Sequence, residues 1–516
     1  MHSVRFSHSR KRVSLTRRVE TSRIGTLAWP KHFCWGCAIA LGLSQLTGCG
    51  RDNSGGDALS AETLERRDVG DQLTDDAKPL PDVAALQNQA EGLSDRALNA
   101  EVAGPSTPSG ESGTRVSGTT ESTAKGLREQ ALRAFGQGDA DLAFELVRKA
   151  RRLAPEDPEV TFFYAMVLAD RHRFEEACKI LDQLAEREPS TRLPALGQTA
   201  QWMVESAHYD EAESRFRVIL NEAPDAPILH HQLGMLLFQL GKRTEAAEHF
   251  RFLSRLGELN QEELRALLTV SQPFPLDEES GRMLPLSELA RARQRLASGD
   301  LEGALEIVES IEEKASAGAT LKARLLAEQQ SWDSLESLLL EIEIGVFDAD
   351  GWYASGLLAA HQNKDAKATE DFCRALLIDP TDPKVYASLS RSLSRIGKEA
   401  EAKEASERAA TLEKVRELGA AMTRGEVGDR ARIAQLVPLL VQLNRPLEAL
   451  GWQGIDLIYG ADAGQIEEQK AQQAFAALGQ HRQQLLSTGQ FQVPIRFILC
   501  GLEPPATPGE GSEGTP

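Results

Sequence analysis

The sequence predicts an all-α protein, built as a solenoid of helix-turn-helix repeats. Only 5% of its 516 residues are aromatic, whereas Ala, Leu, Glu and Arg are abundant. This composition favours helices over strands. Small residues also recur with a period of about 34 residues from near residue 125 onward. A fixed period of this length is typical of helical pairs that stack on one another and bury a continuous core.

Each repeat carries a small residue on both of its helices. On the second helix the small position holds Ala143, Ala177, Ala212, Ala246, Ala304, Leu335, Ala368 and Ala402. Twelve residues earlier, on the first helix, stand Ala131, Ala165, Ala200, Gly234, Ala292, Ala323, Gly356 and Ser390. Small residues at two fixed places let the paired helices approach closely, and Leu335 makes the sixth unit the weakest match. We call the two helices of each unit A and B.

Prolines close several of the B helices, since a proline ring cannot continue a helix. They are Pro155, Pro189, Pro224 and Pro380. In period and in the places of Trp or Leu, Gly, Ala, Phe and Pro, residues 229–256 and 352–380 resemble the tetratricopeptide repeat. The resemblance implies four repeats over 125–258 and four over 288–414, separated by a proline-containing break at 259–287. Residues 415–502 would form a degenerate helical cap with a ninth pair near 431–458 and a short extended segment at 491–499.

The amino terminus predicts export and lipid attachment. Residues 1–48 carry a net charge of +7, and the apolar run at 33–46 is too short to span a membrane as a helix. The sequence Leu46-Thr47-Gly48-Cys49 resembles the lipobox of bacterial lipoproteins. That resemblance implies removal of 1–48, lipid on Cys49 and a location in the cell envelope, facing the periplasm. Residues 49–124 and 503–516 are predicted to be a disordered linker and a disordered tail.

The search for chemistry points away from an enzyme. The chain beyond residue 48 has a net charge of −26, which would repel nucleic acid. The histidines lack metal-ligand spacing, and we expect no metal and no cofactor. Asp348-Ala349-Asp350-Gly351 opens like a calcium loop, but Tyr353 stands where that loop needs glycine, so we interpret it as a turn between repeats. Cys178, Cys373 and Cys500 are predicted to be buried hydrophobes.

A partner would bind in the concave groove that A helices line in tetratricopeptide arrays. The resemblance implies contacts at the second, fifth, ninth, twelfth and thirteenth places of each unit. These places give Phe162, Met166, Asp170, Gln201, Glu205, His231, Met235, Phe238, Gln239, Tyr353, Leu357, His361, Arg391 and Arg395. Met and aromatic side chains suit a peptide or helix, and the alternative is that several of these residues pack between repeats. The family's clamp for chaperone carboxylate tails needs paired Lys and Asn on successive A helices. Asn is almost absent from the A helices of this sequence, which disfavours such a tail as the partner.

The sequence leaves two functions open. The first is a non-catalytic, membrane-tethered scaffold for protein–protein interaction in the envelope, serving assembly or secretion. The second is an accessory subunit that binds and positions a separately encoded enzyme. They differ in the partner and share the same scaffold. Catalysis beyond residue 415 would require clustered polar residues that the sequence does not contain.

Overall fold

A computed structural model describes residues 116–275, 284–311, 317–423 and 429–505. Within these ranges the chain forms 21 α-helices and no strand, which confirms the predicted all-α class. The predicted signal peptide, Cys49, most of the linker and residues 506–516 lie outside the described residues. None of the described helices combines the length and the apolar character needed to cross a membrane.

The described helices belong to two compact units, one ending at Tyr164 and one beginning at Ala165. The first unit contains α1 (Val116–Gly136), α2 (Ala140–Leu153) and the first half of α3 (Pro158–Asp170). Helix α1 therefore begins before residue 125, the predicted start of the repeats. Ala131 and Ala143, the predicted small residues of this pair, are fully buried.

The second unit holds the rest of the array. Its helices after α3 are α4 (Phe174–Arg187), α5 (Arg192–Glu205), α6 (Tyr209–Glu222), α7 (Pro227–Gln239), α8 (Arg243–Leu256), α9 (Gln261–Leu268), α10 (Glu288–Ala297), α11 (Leu301–Glu309), α12 (Ala317–Glu328), α13 (Trp332–Glu341), α14 (Ala349–His361), α15 (Asp365–Ile378), α16 (Pro383–Arg395), α17 (Glu399–Thr423), α18 (Arg430–Gln442), α19 (Pro446–Asp462), α20 (Glu468–Thr488) and α21 (Ile495–Ile498). In this unit seven A helices each pack against the B helix that follows: α5, α7, α10, α12, α14, α16 and α18. We call α1–α8 the first block and α10–α17 the second block.

The small residues act as the repeat predicts. A Cβ atom added to Gly356 in α14 would lie 2.5 Å from Cε1 of Phe372 in α15, and one added to Gly234 would lie 2.8 Å from Cε1 of Phe250. Glycine is therefore required where a phenylalanine ring of the B helix crosses the A helix. Even Leu335, the departure from the pattern, is fully buried.

Each turn from an A helix to its B helix contains one residue with positive φ. These are Gly138, His172, Ala207, Gly241, Gly299, Gln330, Asn363, Gly397 and Asn444. The left-handed conformation reverses the chain tightly enough to bring the two helices of a pair together. Asn444 lies between α18 and α19, which makes this pair the ninth among the described residues.

The predicted break at 259–287 contains an ordered helix. Helix α9 begins with a reciprocal capping box, in which the Asn260 side chain accepts from the Glu263 amide and the Glu263 side chain accepts from the Asn260 amide. It packs against α17 and α19, and Leu264 lies so close to Gly451 that a Cβ there would be 2.7 Å from its Cδ2. Residues 269–275 continue without helical structure, and we call them the crossing segment.

The carboxyl-terminal part differs from prediction at residues 491–499, where the structure has the helical turn α21 instead of an extended segment. The Tyr386 hydroxyl donates to the Ile498 carbonyl over 3.0 Å, and the Arg408 guanidinium lies 3.7 Å from the centre of the Phe497 ring. Ile498 and Phe497 thus contact α16 and α17 respectively, whereas Ile495 stays exposed. Tertiary contact thus overrides local preference here.

Candidate protein-interaction site

In the A helices α3, α5 and α7, the ninth place of the repeat carries half-buried side chains. Met166, Gln201 and Met235 occupy this place in α3, α5 and α7. Four residues later, on the same face of α3 and α5, stand the exposed carboxylates of Asp170 and Glu205. The structure thus gives these three successive A helices a partly exposed face of mixed apolar and acidic character. Phe162, in the first unit, is also half-buried.

Although the Glu205 side chain is exposed, neighbouring groups partly desolvate its carboxyl and raise the pKa above its usual value, and the charge of His172 opposes this shift. A partly desolvated carboxylate gains more from a cation than a fully hydrated one does. Glu205 therefore favours a basic group in any partner that covers it.

The remaining predicted contacts on α7 are engaged by the chain itself. His231 Nδ1 lies 2.5 Å from Oε1 of Glu263 in α9, and Glu263 is almost fully buried. The Phe238 ring lies 3.9 Å from the guanidinium carbon of Arg243, and Gln239 accepts the Leu286 amide through its backbone carbonyl. Residues of the predicted break thus cover part of the face where a partner was expected.

A histidine pair lies behind this face. His230 Nδ1 is 2.9 Å from His249 Nδ1, and His230 Nε2 is 2.8 Å from the Pro224 carbonyl oxygen. A carbonyl can only accept, so Nε2 of His230 donates and its Nδ1 accepts from His249 when both rings are neutral. Burial, with repulsion from His230, lowers the pKa of His249 to about 4.

In the second block Tyr353 departs from its predicted role. Its side chain is only 4% exposed, its ring lies 4.5 Å from the guanidinium carbon of Arg324, and burial raises its pKa to about 12. Tyr353 therefore packs between repeats and presents no surface to a partner, which corrects the prediction for this residue. Leu357 is likewise partly buried against the core.

The three other predicted residues of this block are exposed. The His361 ring stacks on Trp332 at 4.3 Å, Arg391 donates to the Ser388 hydroxyl, and Arg395 donates to Asp365 over 3.2 Å. They lie on different helices, α14 and α16, and each makes its own local contact. The structure does not join them into one cluster of hydrogen bonds or ion pairs.

A buried ionic cluster was missed by the sequence analysis. Arg293 in α10 donates to Oδ2 of Asp350 over 2.6 Å, and Arg324 in α12 donates to Oδ1 of Asp350 over 3.0 Å. Arg324 also lies 2.8 Å from a carboxylate oxygen of Asp382. All four side chains are at most 6% exposed. Arg293 and Arg324 occupy the ninth place of their repeats. Arginine at this groove position was the signal in the sequence that could have revealed the ionic cluster.

Two neighbouring carboxylates in this cluster shift in opposite directions. Burial would raise the pKa of Asp350, but Arg293 and Arg324 outweigh it and hold the pKa below its usual value. Burial and the negative charge of Asp350 raise the pKa of Asp348 to about 6. Asp348 Oδ1 accepts the amides of Asp350 and Gly351, so it caps α14, in agreement with a turn between repeats.

Among the described residues, no group of three or more His, Cys, Asp or Glu side chains is arranged to hold a metal ion. Cys178, Cys373 and Cys500 are buried free thiols, and burial raises the pKa of each. Their environment disfavours the reactive thiolate.

Comparison with known proteins places this architecture in a class. The sequence pattern of the tetratricopeptide repeat family matches residues 134–196. The match and the paired helices with their small residues show that the chain contains tetratricopeptide repeats, which are protein-interaction repeats.

The TPR repeat-containing protein YpiA of Bacillus subtilis (strain 168) is 25% identical over 142 residues, which are 27% of this chain and 33% of YpiA. The chain thus aligns with about a third of that relative's length.

Two solved structures resemble the chain more distantly. A tetratricopeptide repeat protein from Parabacteroides merdae is 15% identical, with 53% of this chain and 99% of that protein covered, at a TM-score of 0.26. The TPR2AB domain of yeast Sti1, in a complex named for pHSP90, is 14% identical, with 64% and 98% covered, at a TM-score of 0.27. At these TM-scores neither structure bears on how the repeats of this chain are arranged.

Proposed function

We propose that this chain is a non-catalytic scaffold that binds a protein partner along α3, α5 and α7. The observation that carries the proposal is the recurrence of half-buried Met166, Gln201 and Met235 at one place of three successive A helices. At the same place in α10 and α12, Arg293 and Arg324 form ion pairs in the buried ionic cluster. The first block therefore offers the partly exposed face that the start of the second block lacks.

The chemistry of this face suits a peptide or helix with apolar side chains and at least one Lys or Arg. Methionine is flexible and polarizable, so Met166 and Met235 can adapt to different apolar groups. Asp170 and Glu205 lie one helical turn beyond the ninth place and supply negative charge beside it. The strongly acidic composition of the chain beyond residue 48 would also attract a basic partner.

We further propose that lipid on Cys49 tethers the scaffold to a membrane of the cell envelope, facing the periplasm, where it serves assembly or secretion. This part rests on the lipobox-like sequence and on the apolar run before it. The Ser-, Gly- and Asp-rich sequence that follows Cys49 would give the repeats reach from the lipid surface.

The experiment is cross-linking and co-purification from membranes, followed by mass spectrometry, with the full chain and its variants. Met166→Ala combined with Met235→Ala should lower recovery of the partner at least tenfold. Met203→Ala is the matched control, since Met203 is a half-buried methionine on α5 outside the five groove places. Equal recovery with all forms would refute the binding face.

A Cys49→Ala form tests the tether separately. Loss of the chain from membranes, with partner binding retained in detergent extract, would support lipid attachment. Unchanged membrane association would contradict it. Recovery of one soluble enzyme by both forms would favour the accessory-subunit function instead.

A further inference from the structure

We propose that the second block, together with Arg243 of α8, is itself a peptide-binding site, and that its resident ligand is the crossing segment of the same chain. This site is distinct from the face proposed above for the partner. Its ligand is a short non-helical peptide that is recognised mainly through its main chain.

Two main-chain amides of the crossing segment are held by the loop between α15 and α16. The Val270 amide donates to Thr381 Oγ1 and the Ser271 amide donates to Asp379 Oδ2, each over 2.8 Å. Asp379 and Thr381 are in turn joined, since the Thr381 amide donates to Asp379 Oδ1 over 2.8 Å. The loop therefore presents two buried acceptors in a fixed arrangement, and they need no particular ligand side chain.

Three consecutive carbonyl groups of the crossing segment are held by arginines. Arg243 donates to the Thr269 and Val270 carbonyls, both over 2.6 Å, and Arg293 donates to the Ser271 carbonyl over 3.2 Å. Both arginines are about 5% exposed. Every main-chain polar group from the Thr269 carbonyl to the Ser271 carbonyl is thus paired with a buried side chain. A peptide-binding site pairs main-chain groups in this way, whereas a surface loop leaves most of them to water.

Specificity comes from two side chains of the segment. Phe274 is 8% exposed and lies against Gly419 in α17, where an added Cβ would be 2.4 Å from its Cζ. Gln272 Nε2 lies 3.4 Å from Asp350 Oδ1 of the ionic cluster. The ligand class is therefore a peptide with an aromatic residue three places after a small residue whose amide is free to donate.

The site is full when the crossing segment is docked. The cavity that remains beside Gln272, Asp379 and Lys384 measures about 30 Å³, which accommodates ordered water and no second peptide. A tethered ligand also has an effective concentration on the order of millimolar. An outside peptide of the same class would have to displace the crossing segment before it could bind.

The test uses a fluorescent synthetic peptide with the sequence of residues 266–276, added to the full chain. The double variant Ser271→Pro and Phe274→Ala removes one amide donor and the aromatic anchor from the resident ligand. It should bind the peptide at least tenfold more tightly than the unchanged chain does. Adding Thr381→Val, which deletes the hydroxyl acceptor, should cancel this gain, and a scrambled peptide should not bind.

Circular dichroism first establishes that the variants keep their helical content. If the double variant loses helicity, the single variant Phe274→Ala gives the same comparison with a smaller perturbation. A folded variant that fails to bind the peptide would overturn the proposal. Equal binding to the variant and the unchanged chain would overturn it as well, because the resident segment would then not occupy the site.

Discussion

Arg293 and Asp350, 57 residues apart in sequence, form a buried ion pair with 2.6 Å between Nη1 and Oδ2. The same guanidinium nitrogen reaches the Ser271 carbonyl, and the second oxygen of Asp350 accepts from Arg324. Asp350 is therefore shared by two buried guanidinium groups. Arg324 has Asp382 as a further carboxylate partner, and Arg293 also holds the crossing segment. The cluster joins three repeats and the segment between the blocks.

Replacing Asp350 by Asn should destabilise the protein strongly, because the buried Arg293 would lose its nearest counter-charge and Arg324 one of its carboxylate partners. We expect the free energy of unfolding to fall by about 3–5 kcal/mol in urea titrations. Arg395→Gln is the control, since Arg395 is 55% exposed and pairs with Asp365 at the surface. That change should cost less than about 1 kcal/mol. Similar losses for both variants would contradict the assigned importance of burial.

Gly356→Ala tests the close approach of α14 and α15. The new methyl group would lie 2.5 Å from Phe372 Cε1, so the ring has to move within a packed core. We expect a loss of about 1–3 kcal/mol in the free energy of unfolding. Gly479→Ala in α20 has no atom within 4 Å of the new carbon and should instead gain up to about 1 kcal/mol from helix propensity. A neutral Gly356→Ala would show that the helices can separate freely.

Ala207→Gly should stabilise the protein, which is unusual for a glycine substitution. Ala207 has φ of 63° in the turn between α5 and α6, a conformation that costs a residue with a Cβ about 1 kcal/mol. Relief of this strain should exceed the added entropy of the unfolded chain and raise the free energy of unfolding by about 0.5 kcal/mol. Ala476→Gly, at an exposed position within α20, should lower it by about 1 kcal/mol. Thermal unfolding of both variants should show changes in the free energy of unfolding of opposite sign.

His249 should make the first block sensitive to acid. Its pKa is about 4 in the folded protein, against about 6.5 for an ordinary histidine. Between these values the unfolded chain binds more protons than the folded chain, so folding stability falls as the pH is lowered through this window. Because the ring is only partly buried, we expect a loss of about 1–2 kcal/mol between pH 7 and pH 5.

The comparison that isolates this effect is His249→Gln, which should flatten the pH dependence of urea unfolding. His481→Gln, at an exposed position on α20, should keep the slope of the unchanged chain. If both variants retain the full slope, the acid sensitivity arises elsewhere.

The repeats could be predicted because their determinants are local and periodic. Ala165 and Ala177 stand twelve residues apart, as do Gly356 and Ala368, and this spacing alone indicates a close pair of helices. The same periodicity placed Met166, Gln201 and Met235 on equivalent faces of their helices. The structure confirms the helical class and the pairing, while the binding role of these residues stays a prediction.

The route of the crossing segment could not be predicted. Val270 meets Thr381 across 111 residues, and no period or motif in the sequence connects them. Prolines at 273 and 275 indicated only that the helices stop. Tyr353 illustrates the same limit, because whether an aromatic residue at a groove position faces solvent depends on which distant segment packs above it.

Arrays of repeats usually contain only contacts between neighbours, so they can fray from either end. Here Gln261 meets the Tyr459 hydroxyl, and the Leu267 carbonyl accepts from Arg445, across 198 and 178 residues respectively. These contacts tie helix α9, at the entrance to the second block, to the ninth helical pair. The second block and the ninth pair should therefore melt together in one cooperative step, and they should fold more slowly than a linear array of the same length.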